Sequence, residues 1–336
     1  MEAFGSNRSQ NTSANDLTTD DKHATIYETV FIILSVLIAI SNATVLLLYH
    51  INPRIRSTKN LLLASLALSD LCAGTVVIPI TLKCFEGHQW NVCIASSVLF
   101  RFIAFSSILH ILAIIFEKYI SILHPFCDVQ KKHLRVVSGC IWCGSCAVAI
   151  LPLVWLHDGE SVDTDFIRKE LVYFTVTFVA FFVAPFLLIV FAQVRMLRAI
   201  SRSFSFIDES ATLPGSPVES FSLTSTRSPV RSQSDSIKES ESSRISPTHN
   251  RKVLKAFALM LGSFTVCRLT WYLGVFLAYI DTENFRNSVS VDFMQMTHLL
   301  VFMPSLINPL LYTYYKQDFR QALQALLKIS LKTLCH

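Results

Sequence analysis

The sequence predicts an all-α membrane protein: a seven-helix transmembrane bundle followed by an amphipathic helix on the membrane surface. Three observations carry this. The chain is 52% hydrophobic and 16% charged, with a mean hydropathy of +0.47, where a soluble domain carries about 25% charge. Apolar stretches long enough to cross a hydrocarbon core of ~30 Å as helices recur seven times. The loops between them alternate in charge. One set holds Arg54, Arg56 and Lys59, then Lys131, Lys132 and Arg135, then Arg195, Arg198, Arg202, Arg251, Lys252 and Lys255. The other set holds Glu86, then Asp158, Glu160, Asp163 and Asp165, then Asp281 and Glu283. Basic loops stay cytoplasmic, so the N-terminus is expected outside and the C-terminus inside. The net charge of +5 sits in these loops and is no nucleic-acid signal.

Residues 1–25 are polar and lack the apolar segment of a cleaved signal peptide. They read as an extracellular tail, with glycosylation acceptor patterns at Asn7 and Asn11. The spans are expected at about 26–49, 60–83, 93–123, 135–156, 171–198, 253–280 and 293–314, so that the bundle occupies 26–314. Within it, residues 201–250 are rich in Ser, hold Pro214, Pro217, Pro229 and Pro247, and have little apolar content. This composition predicts a disordered third cytoplasmic loop, with Ser203, Ser216, Ser228, Ser232 and Ser246 as candidate phosphorylation positions. After the last span, residues 315–336 hold a surface helix and tail. Phe319, Leu323, Leu326 and Leu327 form an apolar stripe beside Lys316, Arg320, Lys328 and Lys332, the pattern of a helix lying on a membrane. Cys335 follows, as a palmitoylated cysteine or a plain thiol.

The third span organises the chain. From Cys93 to Pro125 its apolar run is broken only at a few positions, among them Arg101, His110 and Glu117-Lys118-Tyr119. Ionisable residues at membrane depth are costly and normally face a protein interior or a wet cavity. Phe100, Ala104, Ser107, Ile111, Ile114 and Lys118 share one helical face. That face is expected to run from an outer pocket, past Ser107, to a charged inner end. His110 and His298 read first as packed or hydrogen-bonded histidines. Cys140, Cys143 and Cys146 lie in an apolar helix with Gly139 and Gly144 and read as small packing residues. There is no Gly-rich phosphate loop, no His cluster at metal-ligand spacing and no supportable nucleophile triad. An enzyme is therefore not expected, nor a metal site. A transporter is disfavoured, because no inverted repeat of interrupted helices is visible.

Specific residues in order along the spans resemble the rhodopsin-like (class A) G-protein-coupled receptors over nearly the whole chain. They are Asn42; Leu66-Ala67-Leu68-Ser69-Asp70; Trp90 and Cys93; Glu117-Lys118-Tyr119; Trp142; Pro185; and Asn308-Pro309-Leu310-Leu311-Tyr312. The resemblance implies a plasma-membrane receptor that binds an extracellular ligand and activates a heterotrimeric G protein, with arrestin, receptor kinases and membrane lipids as further partners and no nucleic acid. It assigns Asp70, Ser107, Ser305, Asn308 and Tyr312 to a sodium and activation-switch cluster, with sodium the only cofactor in view. A sodium or proton role and simple hydrogen bonding of Asp70 both remain open. Glu117, Lys118 and Tyr119 would meet the G protein. Ligand contacts would come from Phe100, Arg101, Ala104, Phe105, Arg268, Trp271, Tyr272 and His298.

The departures from that family are informative. Lys118 replaces an arginine and loses its planar fork. Gln193 stands where a fifth-span tyrosine is usual. Arg268 and Thr270 occupy the tryptophan and proline positions of FxxCWxP. Phe100 stands where amine receptors carry an aspartate, which disfavours a simple amine ligand. No lysine lies in the seventh span, which excludes a retinal Schiff base. An anionic lipid or an acidic peptide end is expected instead, with Arg101 helping to select it or pairing with an acidic residue such as Glu170. Arg268 either reaches Asp70 in place of sodium or points to the ligand. The second outer loop has no cysteine, which leaves two readings for Cys84 and Cys93: a bond between them, or two free thiols. The alternative function is a receptor-like protein with weak or no G-protein coupling that acts through arrestin, dimerisation or scaffolding.

Overall fold

The computed structural model describes residues 14–87, 89–124, 127, 130–156, 164–212, 247–280 and 291–334, and the described regular structure is all helical. Eight elements follow in order: α1 (Ala14–Ile51), α2 (Leu61–Gly87), α3 (Trp90–Leu123), α4 (Lys131–Val154), α5 (164–212), α6 (Pro247–Ile280), α7 (Val291–Tyr315) and α8 (Gln317–Leu334). Six of these, α1 to α6, contain stretches long and apolar enough to span a bilayer. The described part of α7 is more polar, with Gln295, His298, Ser305 and Asn308 among its apolar residues. It is held in the bundle by packing on α6 and α1.

α3 is the hub: it packs on α2, α4 and α5, while α5, α6, α7 and α1 close the ring around it. Its buried residues, from Cys93 through Phe100, Ser107, Ile111 and Ile114 to Glu117, run the whole length of the span. The bundle core is aliphatic around Leu63, Leu66, Ile108, Ile111 and Met260, with Phe257 and Phe264 on α6. Leu68, Leu187, Phe191 and Val266 are exposed on the outside, as a bilayer-facing surface requires.

One proline each shapes α2 and α5. Pro79 and Pro185 lack an N–H, and each ring would collide with the carbonyl four residues earlier. The chain answers with π-helical turns at Ala73–Val77 in α2 and Val179–Val183 in α5, which contain those carbonyls, Thr75 and Phe181. In α6, Thr270 keeps its backbone N–H and bonds its hydroxyl back to the Val266 carbonyl at 2.9 Å, so nothing there enforces a proline break.

Several boundaries differ from the sequence expectation. α1 starts at Ala14, inside the expected tail 1–25. The helices flanking the expected loop 201–250 continue into it, to Thr212 on one side and from Pro247 on the other. Pro247 sits at the first helical position, where a missing N–H costs nothing. Asn7, Asn11, residues 213–246 and Cys335 lie outside the described residues. Cys140, Cys143 and Cys146 are exposed free cysteines on α4, and a Cβ at Gly139 or Gly144 would meet nothing within 4 Å. Their reading as packing residues is corrected: the residues that α4 buries are Leu134, Ile141, Ser145, Ala149 and Pro152. Cys84 and Cys93 form a disulfide that joins the end of α2 to the start of α3.

Candidate functional site

Two layers of side chains, one above the other along α3, α6 and α7, form the centre of the bundle. The layer nearer the disulfide is aromatic. The Phe100 ring lies 5.2 Å from Trp271, 5.9 Å from His298 and 5.7 Å from Phe302. Trp271 and Tyr272 touch each other and Phe174, and Phe178 and Phe182 extend the wall along α5. His298 also meets Phe85 edge-on at 5.5 Å. Phe100, Trp271, Tyr272 and His298 are thus one cluster. Ala104 lies one turn further along α3 and is half-buried, and Phe105 turns toward α5, where its ring stacks on Phe181 at 4.3 Å.

Arg268 sits at the floor of this layer, 6% exposed. Its guanidinium carbon lies 5.6 Å from the centre of the Phe100 ring and 5.5 Å from that of Phe264. The negative ring faces hold a cation there. Nε has no hydrogen-bond partner, and among the described residues the guanidinium closes no ion pair with a carboxylate. Of the two arrangements expected for Arg268, the direct tie to Asp70 is therefore not formed. The Asp70 carboxylate is bonded from α7 instead: Oδ1 accepts from Ser305 Oγ at 2.8 Å and Oδ2 from Asn308 Nδ2 at 3.1 Å, and each oxygen keeps a further lone pair.

The second layer surrounds Asp70, which is fully buried. Asn42 Nδ2 donates to the Ser305 carbonyl at 3.0 Å, so α1, α2 and α7 meet at this carboxylate. Buried oxygens remain without a hydrogen-bond partner: Asn42 Oδ1, Ser107 Oγ and Asn308 Oδ1. A carboxylate with neutral oxygens around it is the donor set of a hard cation, so the residues fit sodium. Asp70, Ser107 and Asn308 would hold it, and its charge would offset that of Asp70. Tyr312 is buried one turn beyond Asn308, its hydroxyl unpartnered and its ring 5.7 Å from Phe319 of α8.

Arg101 does not point into the aromatic layer's core. It pairs with Glu170 Oε2 at 3.3 Å and lies 5.3 Å from the centre of the Tyr173 ring. Glu170 also accepts from Trp155 Nε1 at 3.0 Å. Of the expected ligand residues, Phe100, Arg268, Trp271, Tyr272 and His298 converge, and Arg101 and Phe105 belong to the α4–α5 side. At the other end of the bundle, Lys118 Nζ donates to Oε1 of its neighbour Glu117 at 3.0 Å, and Tyr119 stacks on Phe116. Buried Gln193 leaves its Nε2 unpartnered.

Sequence reasoning missed three polar contacts. His110 bonds Ser65 at 2.8 Å and the Ser106 carbonyl at 2.8 Å, and Ser65 is bonded in turn by Ser138 and Trp142. This network links α2, α3 and α4; the only trace in the sequence was a histidine among serines. Lys316 Nζ donates to Asn60 Oδ1, joining the α7–α8 corner to the start of α2. Tyr173 completes the Arg101–Glu170 group, which no spacing rule could reveal.

Comparison with known proteins agrees with this architecture. The family described as 7 transmembrane receptor (rhodopsin family) matches residues 41–312. The 5-hydroxytryptamine receptor 1F of Rattus norvegicus is 25% identical over 327 residues, covering 85% of this chain and 88% of its own. The 5-hydroxytryptamine receptor 1D of Oryctolagus cuniculus is 26% identical over 330 residues, covering 87% and 85%. With most of its length matched, the chain belongs to the rhodopsin family of seven-transmembrane receptors, which makes it a multi-pass membrane receptor whose partner class is the heterotrimeric G protein.

Proposed function

We propose that this receptor takes an anionic ligand in the aromatic layer, from the extracellular side, and activates a heterotrimeric G protein at the opposite end of the bundle. The disulfide end is the outer end in this reading, as the charge of the loops argues. Arg268 is the observation that carries it. A guanidinium buried without a carboxylate is costly, and the cost is offset if an acidic ligand supplies the missing charge. The named relatives are receptors for 5-hydroxytryptamine, an amine. Here Phe100 stands at the position of the amine counter-ion, and the cation beside it would repel an ammonium. Ligand binding shifts an equilibrium between conformations that α6 and α7 can adopt. The charge of Arg268 and the donors to Asp70 set the resting balance, with sodium as a further weight on it.

The test is a screen of acidic lipids, acidic peptides and amines on cells expressing the receptor, read by G-protein and arrestin reporters. The active compounds are expected among the acids. Arg268→Gln should then weaken them by about 10- to 100-fold, as loss of a charged hydrogen bond of ~1.5–3 kcal/mol implies, and Arg268→Lys should recover part of that. A primary amine that activates wild type and Arg268→Gln equally refutes the reading.

A further inference from the structure

A recess lies outside the central layers. A cleft of about 510 Å³ opens between α4 and α5, within the ~300–1,000 Å³ common for small-molecule sites. Its walls are apolar: Val148 and Leu151 of α4 face Val172, Val176 and Phe181 of α5. Val172 and Val176 are 58% and 60% exposed, so the cleft faces the bilayer rather than the interior. One end is different. Arg168 and Lys169 line it there, near the beginning of α5, and both pair with Asp165 at 2.7 Å. Two cations share one carboxylate, which leaves a net charge of +1. All three side chains are exposed, and exposed pairs of this kind hold weakly. Arg168 and Phe181 are about 20 Å apart along the helix at ~1.5 Å per residue. The basic end therefore lies at the interface level while the apolar end reaches hydrocarbon depth.

We propose that this cleft binds one long-chain fatty carboxylate from the bilayer, its chain along Val148, Leu151, Val172 and Val176 and its carboxylate on Arg168 and Lys169. Charge decides the occupant. Surrounding lipid tails are as apolar as the walls, so a chain by itself gains little by moving in. The group of Asp165, Arg168 and Lys169 carries one net positive charge, which matches one carboxylate, and a headgroup carrying its own ammonium forfeits that match. The occupant also touches the central site's neighbourhood. Tyr173 lines the cleft, donates its hydroxyl to the Val148 carbonyl at 2.9 Å and carries the Arg101 guanidinium over its ring. A bound chain thus rests on the residue that positions the Arg101–Glu170 pair. The inference does not depend on the ligand assigned to Arg268.

The full-length receptor in phosphatidylcholine nanodiscs tests it, with palmitic acid carrying a photoreactive group at the chain end as probe. The alcohol of the same chain and a photoreactive lysophosphatidylcholine are the controls, and adducts are mapped by peptide mass spectrometry. The acid should label peptides spanning 148–155 and 172–181 several-fold above other lipid-facing helices and above both controls. Arg168→Gln with Lys169→Gln should reduce that labelling to the level of the alcohol. Asp165→Asn, which frees both cations, should raise it, and Val176→Trp should block it by filling the cleft. Even labelling of all outer helices, or equal labelling of the double variant and wild type, overturns the proposal. Equal labelling by lysophosphatidylcholine overturns it in favour of a phospholipid chain. The double variant changes only exposed side chains, so the result does not hinge on the bulkier tryptophan folding.

Discussion

Gly74 allows a prediction from contact geometry alone. It lies in the π-helical turn of α2, where α1 comes closest. A Cβ placed there would stand 2.9 Å from the Ser35 carbonyl oxygen, 3.0 Å from Ile38 Cγ2 and 3.1 Å from the Ala39 nitrogen. Two of these atoms are backbone and cannot rotate away. Ser35 Oγ also donates to the Gly74 carbonyl at 2.6 Å, which pins the same approach. Ordinary contact begins near 3.4 Å, so Gly74→Ala must push α1 and α2 apart by about half an ångström. Overpacking of this kind costs about 1–3 kcal/mol, or roughly 1–4 °C at about 1.4 °C per kcal/mol for a chain of this size. Gly144→Ala is the matched control, since its Cβ would meet nothing within 4 Å. That change should leave the midpoint unchanged or raise it slightly through helix propensity. The assay is fluorescence-detected size exclusion of detergent-solubilised receptor after graded heating. Asp70 is one turn from Gly74 and is held by Ser305 and Asn308 of α7, so basal signalling should shift as well. Equal midpoints for Gly74→Ala and Gly144→Ala would show that α1 and α2 are not in the contact described, and the reasoning fails.

Four further outcomes are expected. Lys118→Arg should raise basal or ligand-driven nucleotide exchange at equal surface expression, because a bidentate fork replaces a point charge now held by Glu117; an unchanged exchange rate counts against it. Cys84→Ser should lower the thermal midpoint by an amount equivalent to about 2–3 kcal/mol, the loop-closure value for a short ring, and treating wild type with a reductant should reproduce the loss. A double-mutant cycle on Arg101→Gln and Glu170→Gln should give a coupling of about 1 kcal/mol, small because a quarter of the Arg101 side chain is exposed; zero coupling would mean the pair is not formed. Deleting residues 213–246 should leave surface delivery intact and alter desensitisation, since the segment is too polar to supply core; flow cytometry of an epitope-tagged receptor with arrestin recruitment reads both.

The sequence by itself determined the class of molecule. Seven apolar runs, loops of alternating charge and the ordered residues from Asn42 to Tyr312 suffice, because hydropathy and span length are local properties that the bilayer reads directly. It also made Arg268, Phe100 and Asp70 stand out, since a charge within an apolar run, or its absence where one is usual, is visible without coordinates. What Arg268 does with its charge was not legible. Two arrangements were compatible with its position in α6, and the choice depends on which side chains the packed helices bring against the guanidinium. Ser305 and Asn308 of α7 bond the Asp70 carboxylate, and Phe100 and Phe264 supply ring faces to Arg268. The same holds for Cys140, Cys143 and Cys146, whose spacing says nothing about which side of α4 meets the bundle; for Arg101 the sequence left two uses open, and packing chose the pair with Glu170, 69 residues away. Even the α4–α5 cleft combines ordinary residues, and only the packing of two helices gives it walls. Local chemistry writes the spans and marks the costly residues; the partner that relieves each cost is a long-range choice, made when the helices pack.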